Sequence, residues 1–292
     1  MRLISFLKDG RERLGAMVDD RVVDLSALTD GEYPTMLDLL RGGEAAMERA
    51  RGLATTHNAM LRLADLALLS PVPRPGKYLA MGLNYRKHAE EAERKGVRIP
   101  KHQVWFNKQT TCMNGPHGDV HMPLVSDKLD YEAELAVVIG KRCRHVKAEE
   151  AHGVIAGLTV ANDVSVRDWQ MRAQTWTLGK SFDTHGPLGP ALVTLDEIPD
   201  PQDLNVRCYV NGERRQDANT GDMIYDLGAM IAHLTQAMTL EPGDVLATGT
   251  PAGIGSAMEP SQYLKVGDVV RVEIDHLGAL ENRVVAEPDP ES

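Results

Sequence analysis

The sequence predicts a β-rich α+β protein, with a small N-terminal β-rich domain at residues 1–70 and a larger domain at 75–287. Three observations lead there. Short runs rich in apolar residues, bounded by Gly, Pro, Asn and Asp, recur along the chain as strands joined by tight turns do. Helical stretches are few and do not alternate regularly with these runs, which argues against a doubly wound parallel sheet. The segment "SPVPRPGK" separates two textures and is the best place for a boundary.

In chain order, "RLISFL", "RLGAMV" and "RVVDL" read as strands separated by Asp/Gly turns. Helices are expected at 36–51 and 58–66. Beyond the Pro-rich segment, "KYLAMG", "VWFNK", "EAELAVVIG", "IAGLTVAND", "GPALVT", "VRCYVNG", "DVLATGT" and "DVVRVEI" read as strands. "VNGERR" carries the Asn-Gly signal of a hairpin. Helices are expected at 86–95, 148–154 and 227–238.

Composition limits the function classes. The chain of 292 residues carries a net charge of −10 and has 42% hydrophobic residues, an ordinary balance for a globular protein. No basic stretch suggests a nucleic-acid surface, and no apolar run reaches the roughly 18 residues of a membrane span. The N-terminus, "MRLISFLKDGRERLG", returns to charge too soon for a signal peptide. The three cysteines lie far apart and in no CxxC, as reduced thiols of a cytoplasmic protein would. A small anionic substrate would therefore need locally placed cations or a metal.

The chemistry concentrates in "DYEAELAVVIG", residues 130–140. Side chains of a strand alternate between faces, so Glu132, Glu134, Ala136 and Val138 share one face, and Ala133, Leu135, Val137 and Ile139 the other. The second face is core. The first starts with two charges and then turns apolar, which places the glutamates at one end of a strand buried on both sides. Burying two neighbouring carboxylates is costly unless a cation neutralises them; a lysine or a hard divalent metal would do. Asp163, at the end of the apolar run in "GLTVANDVSVRDWQ", offers a third carboxylate. An all-oxygen set favours Mg²⁺ or Mn²⁺ over zinc. The plainer alternative is an exposed strand end with scattered acids. His117 and His121 in "HGDVH" lie four apart, but the Gly and Pro around them argue against a helix that would put them on one face.

The motifs "GLNYRKHAEE", "FNK", "DYEAELAVVIG", "ANDVSVRDWQ", "LGKSFDTHGPLGP", "VNGERRQ" and "ATGTPAGIG" occur in this order. Together they resemble the fumarylacetoacetate hydrolase family, in its branch of acylpyruvate hydrolases and 2-hydroxyhepta-2,4-diene-1,7-dioate isomerases, over roughly residues 75 to 285. The resemblance implies a mixed β-sandwich roll, a homodimer, and Mg²⁺ or Mn²⁺ as cofactor, with Ca²⁺ able to replace them in a crystal. It implies Glu132, Glu134 and Asp163 as metal ligands. His88 and Glu91 lie three apart and share a helical face; by themselves they could be part of an exposed polar helix. The resemblance makes them a water-activating pair on a lid, in which the carboxylate orients the imidazole. A lone lysine is usually a surface residue, yet the resemblance puts Lys180 in the site, polarising a substrate oxygen. Arg167 and Gln170 match pocket positions, with Lys108 and Tyr85 as weaker candidates. "TGTPAGIG" lacks the spacing of a phosphate loop; the family reading puts Thr250 at the substrate carboxylate.

The expected reaction is hydrolysis of the C–C bond of a 2,4-diketo acid of the acylpyruvate type, giving pyruvate and a carboxylic acid. Oxaloacetate decarboxylation and isomerisation of 2-hydroxydienoates use the same enolate chemistry and stand as alternatives. A non-catalytic dicarboxylate-binding module is the remaining class.

Overall fold

The computed structural model describes residues 1–289. Its backbone is a large mixed sheet against which a five-stranded sheet packs. The central strands of the large sheet run, in spatial order, Arg2–Lys8, Gly186–Val193, Ile155–Asn162, Ala133–Ile139, Val245–Ala247 and Tyr78–Gly82. Arg11–Val18 and Arg21–Asp24 continue it beyond Arg2–Lys8, and Val104–Asn107 closes the other end. The N-terminal strands thus extend the main sheet: Arg2 pairs with Val193 and Leu3 with Leu192. The second sheet contains Glu213–Asn219, Asn205–Val210, Val269–Ile274 and Gly278–Ala286, with Val120–Met122 at its edge.

Ala133–Ile139 is buried along its whole length and divides two cores. Ala133, Leu135, Val137 and Ile139 join Val206, Val272 and Leu280 of the second sheet. Ala136 and Val138 join Leu3, Leu14, Tyr78 and Val245, covered further out by Leu39, Ala46 and Ala50. Each Val, Leu or Ile among them contributes about 1.5–3 kcal/mol when fully withdrawn from water. A strand held from both sides in this way is a rigid mount for the residues at its start.

The expected helix at 36–51 is two helices, Met36–Arg41 and Gly43–Thr56. The chain breaks at Gly43, whose φ of +68° is open to glycine at little cost. Thr35 and Asp38 cap the first helix reciprocally. The helix expected at 58–66 does not form. Leu61–Arg62 is a strand paired with Arg21 and Val22, and Leu63–Asp65 is a 3₁₀ turn. So short a segment gains little as a helix, whereas the open edge of Arg21–Asp24 offers it hydrogen-bond partners. Residues Ala148–Val154 wind as a 3₁₀ helix. Helices Arg86–Arg94 and Leu227–Ala237 lie where the sequence puts them. The Asn-Gly turn is present, with Asn211 and Gly212 at positive φ between two paired strands. Cys112, Cys143 and Cys208 are free and buried. Among the described residues no helix is long and apolar enough to cross a membrane.

Candidate active site

The sheet brings the three carboxylates together. Ala133 pairs with Asn162 and Glu134 with Ala161, so the start of one strand lies beside the end of its antiparallel neighbour. Two further bonds fix the corner: the Asn162 side-chain carbonyl accepts from the Glu132 N–H at 3.0 Å, and the Glu132 carbonyl accepts from the Asp163 N–H at 2.9 Å. Glu132, Glu134 and Asp163 are buried, and one oxygen of each lies within 4.8 Å of the others.

Three cations surround this cluster. The Lys180 ammonium donates to Glu132 Oε2 and Asp163 Oδ2, both at 2.6 Å. Lys108 donates to Asp163 Oδ1 at 2.6 Å from behind. The Arg167 guanidinium lies 2.7 Å from Glu132 Oε1 and donates to Asp130 Oδ2 at 2.8 Å and Gln170 Oε1 at 2.9 Å. The carboxylates respond unequally. Burial alone would raise Glu132, but the Lys180 and Arg167 charges outweigh it and bring its carboxyl down to about 2. Glu134 is pushed well above the carboxylate range by burial and by the Asp163 and Glu132 charges; the Gly249 N–H at 2.8 Å does not compensate. Burial would lower Lys180, yet Asp163 and Glu132 raise it and keep it charged. An uncompensated carboxyl completing an all-oxygen set is what a hard divalent cation relieves, so these residues fit Mg²⁺ or Mn²⁺.

A cavity of about 340 Å³ opens over the cluster. Glu132, Arg167, Lys180, Gln170 and Thr250 line it, and His88 and Glu91 enter from the Arg86–Arg94 helix. His88 Nδ1 meets Glu91 Oε2 at 3.0 Å, while Glu90 is exposed. Glu91 Oε1 accepts from the Gly253 N–H at 3.3 Å, which ties the helix to the turn in "TGTPAGIG". Thr250 Oγ1 accepts from the Gln216 amide at 2.8 Å.

Tyr85 and Lys108 are buried and are not among the residues lining the cavity. Tyr85 precedes the helix, and Lys108 supports Asp163. Sequence reasoning missed Asp130. This fully buried carboxylate accepts from Arg167, from its neighbour Tyr131 N–H, and from the Gly255 and Ser256 N–H groups at 2.8 and 2.9 Å. The same alternation that paired Glu132 with Glu134 reaches back to it. Trp176 also forms part of the cavity wall; Gly82 lets its ring approach, since a Cβ there would lie 2.7 Å from it.

The model of the fumarylacetoacetate hydrolase C-terminal domain matches residues 77–285. The chain belongs to the fumarylacetoacetate hydrolase family. It is 42% identical over 290 residues to the mitochondrial oxaloacetate tautomerase Fahd2a of Rattus norvegicus, covering 98% of this chain and 92% of the relative. Among solved structures it is similar to the maleylpyruvate hydrolase of Sphingobium sp. SYK-6 in complex with manganese(II) and pyruvate. That match has a TM-score of 0.83 and 33% identity, and covers 99% of this chain and all of the other. The 2-hydroxyhepta-2,4-diene-1,7-dioate isomerase of Mycobacterium marinum aligns with a TM-score of 0.74 and 32% identity, over 99% of this chain and all of the other. The fold is the family's β-rich roll, and the protein is an enzyme of this superfamily, in the branch holding both hydrolases and isomerases.

Proposed function

We propose that the protein interconverts the keto and enol forms of a 2-oxo acid of the oxaloacetate class. The observation that carries this reading is one acid–base pair, His88 and Glu91, sharing a cavity with a buried carboxylate cluster suited to a divalent cation. The near full-length similarity to an oxaloacetate tautomerase supports it. Mg²⁺ or Mn²⁺ held by Glu132, Glu134 and Asp163 would supply Lewis acidity toward the 2-oxo carboxylate and so acidify the adjacent CH₂.

The chain's own groups do the rest. Arg167 and Lys180 keep Glu132 ionised. Glu91 accepts from His88 Nδ1–H, which leaves Nε2 as the basic nitrogen for substrate. Nε2 takes a proton from the carbon beside the oxo group; the C–H electrons pass into the new C=C bond and the carbonyl pair onto oxygen. Glu91 stabilises the imidazolium, which returns the proton to that oxygen. The apolar stretch of wall formed by Met81, Phe106, Trp176 and Ile254 limits water around the transfer.

A second reading is the C–C hydrolysis of an acylpyruvate-type 2,4-diketo acid. The likeness to a maleylpyruvate hydrolase favours it, as does the same dyad, which can deprotonate water as well as carbon. Water then adds to the distal carbonyl, the C–C bond breaks, and the departing pyruvate carbon takes up a proton.

One assay separates the two. The Mn²⁺-loaded protein is given enol oxaloacetate and, separately, acetylpyruvate, with and without EDTA, following enol absorbance and pyruvate. EDTA-sensitive loss of the oxaloacetate enol without pyruvate supports tautomerisation. Stoichiometric pyruvate from acetylpyruvate supports hydrolysis. No catalysed change in either would overturn both.

A further inference from the structure

The loop after strand Val245–Ala247 is gripped from two sides at two residues. At Gly253 the carbonyl accepts from the Tyr131 hydroxyl at 3.0 Å, and the N–H donates to Glu91 Oε1 at 3.3 Å. At Ser256 the N–H donates to Asp130 Oδ2 at 2.9 Å, and the carbonyl accepts from the Lys95 ammonium at 2.8 Å. Between them the Gly255 N–H donates to Asp130 Oδ1 at 2.8 Å. On one side the contacts come from two consecutive buried residues, Asp130 and Tyr131, which run directly into the candidate metal ligand Glu132. On the other they come from the helix Arg86–Arg94 and its cap Lys95. The packing is close enough to require glycine twice. Gly253 has a φ of +102°, and a Cβ on it would run into the Arg215 carbonyl; a Cβ on Gly255 would run into the Gln262 carbonyl.

We infer that Tyr131 is a positioning residue for the acid–base pair: through Gly253 it sets where Glu91, and with it His88, stands over the carboxylate cluster. This role rests on the proton-transfer reading above, in either of its forms, and adds to it the group that aligns the base. Glu91 Oε2 orients the imidazole at Nδ1, and the Gly253 N–H holds Oε1 of the same carboxylate. The carboxylate is thereby fixed at both oxygens, and its second fixing point is anchored by the Tyr131 hydroxyl while Asp130 holds the rest of the loop. Residues 130–132 thus carry both a ligand of the cluster and the anchor of the base, which keeps the two parts of the centre in register. Such register matters because a misplacement of about 1 Å can cost about 10²-fold in rate. Tyr131 itself touches neither substrate nor His88; it acts through the loop.

The test is a double-mutant cycle on the intact Mn²⁺-loaded protein, with enol oxaloacetate and acetylpyruvate as substrates. It compares the native protein, Tyr131→Phe, Glu91→Ala and the double variant. Tyr131→Phe removes one hydroxyl and keeps the buried ring, so the core stays filled. The expected result is that Tyr131→Phe lowers kcat roughly three- to tenfold, with KM and Mn²⁺ affinity unchanged. Added to Glu91→Ala, the same substitution should lower kcat no further, because the carboxylate it positions is gone. An unchanged kcat in Tyr131→Phe, a rise in KM in place of the fall in kcat, or a loss as large without Glu91 as with it overturns the role of Tyr131 while the 2-oxo acid reading stands. If the native protein turns over neither substrate, both fall.

Discussion

On the floor of the cavity, Glu132 meets Arg167 and Lys180 at 2.7 and 2.6 Å, with Asp163 and Lys108 beside them; all are buried except Arg167, whose side chain is 12% exposed. On the lining helix, His88 meets Glu91 at 3.0 Å among the exposed side chains of Arg86, Lys87, Glu90, Glu93 and Arg94. Both regions pair acids with bases, yet by different means. The floor is held by strand register and by ion pairs that cannot be exchanged for water. The helix is held by an N–H from Gly253 to Glu91 and a Lys95 contact to Ser256. Charges on the floor are therefore locked by burial and by one another, whereas Glu91 and Lys95 on the helix are each tied to nearby backbone by a single hydrogen bond. The difference suits the chemistry: a metal site needs fixed ligands, while a proton carrier needs room to exchange substrate.

Breaking the floor has the largest expected effect. Glu132→Ala leaves Arg167 and Lys180 buried with too little negative charge, which costs about 3–5 kcal/mol. Urea denaturation should register the loss, and calorimetric Mn²⁺ binding should weaken in parallel. A variant of unchanged stability would mean that the cluster is wetter than its burial implies.

Breaking the helix pair should separate chemistry from stability. His88→Ala is expected to lower kcat by about 10²–10⁴-fold, with unfolding free energy changed by no more than about 1 kcal/mol and Mn²⁺ affinity preserved. Loss of metal binding in this variant would show that the two regions are not independent.

A smaller effect sharpens the contrast from behind the floor. His185 is buried with its Nε2 at 2.8 Å from the His121 carbonyl. Burial, helped by the Lys108 charge, lowers its pKa to about 3. The folded protein thus binds this proton less readily than the unfolded chain. The stability it contributes is full above the unfolded value near 6.5 and declines as pH falls toward 3. Between pH 6.5 and 5 the loss is about 2 kcal/mol, measurable by urea titration at several pH values. His185→Gln should flatten that slope; an unchanged slope would assign it to other groups.

Much of the site was legible in the chain because it follows short-range rules. Period two placed Glu132 and Glu134 on one face, and the abrupt change to Ala136 and Val138 marked that face as buried. The three-residue spacing of His88 and Glu91 required only a helix. Those strands and helices whose signals were local, such as Asn211-Gly212, formed where expected. The helix expected at 58–66 failed because its periodicity competed with an open sheet edge, a partner that no local window contains.

What folding alone decided is the company these residues keep. Asp163 joins the glutamates because Asn162 pairs with Ala133 across two strands. Lys108, Arg167 and Lys180 converge on the cluster from three other segments. Asp130 becomes the tie between Arg167 and the turn at Gly255 and Ser256 through bonds to residues more than thirty positions away. Spacing along a strand or helix is fixed by backbone geometry and can be read from the sequence. The neutralisation of buried charge depends on which distant segments the two cores press together, and only the packed sheets determine that.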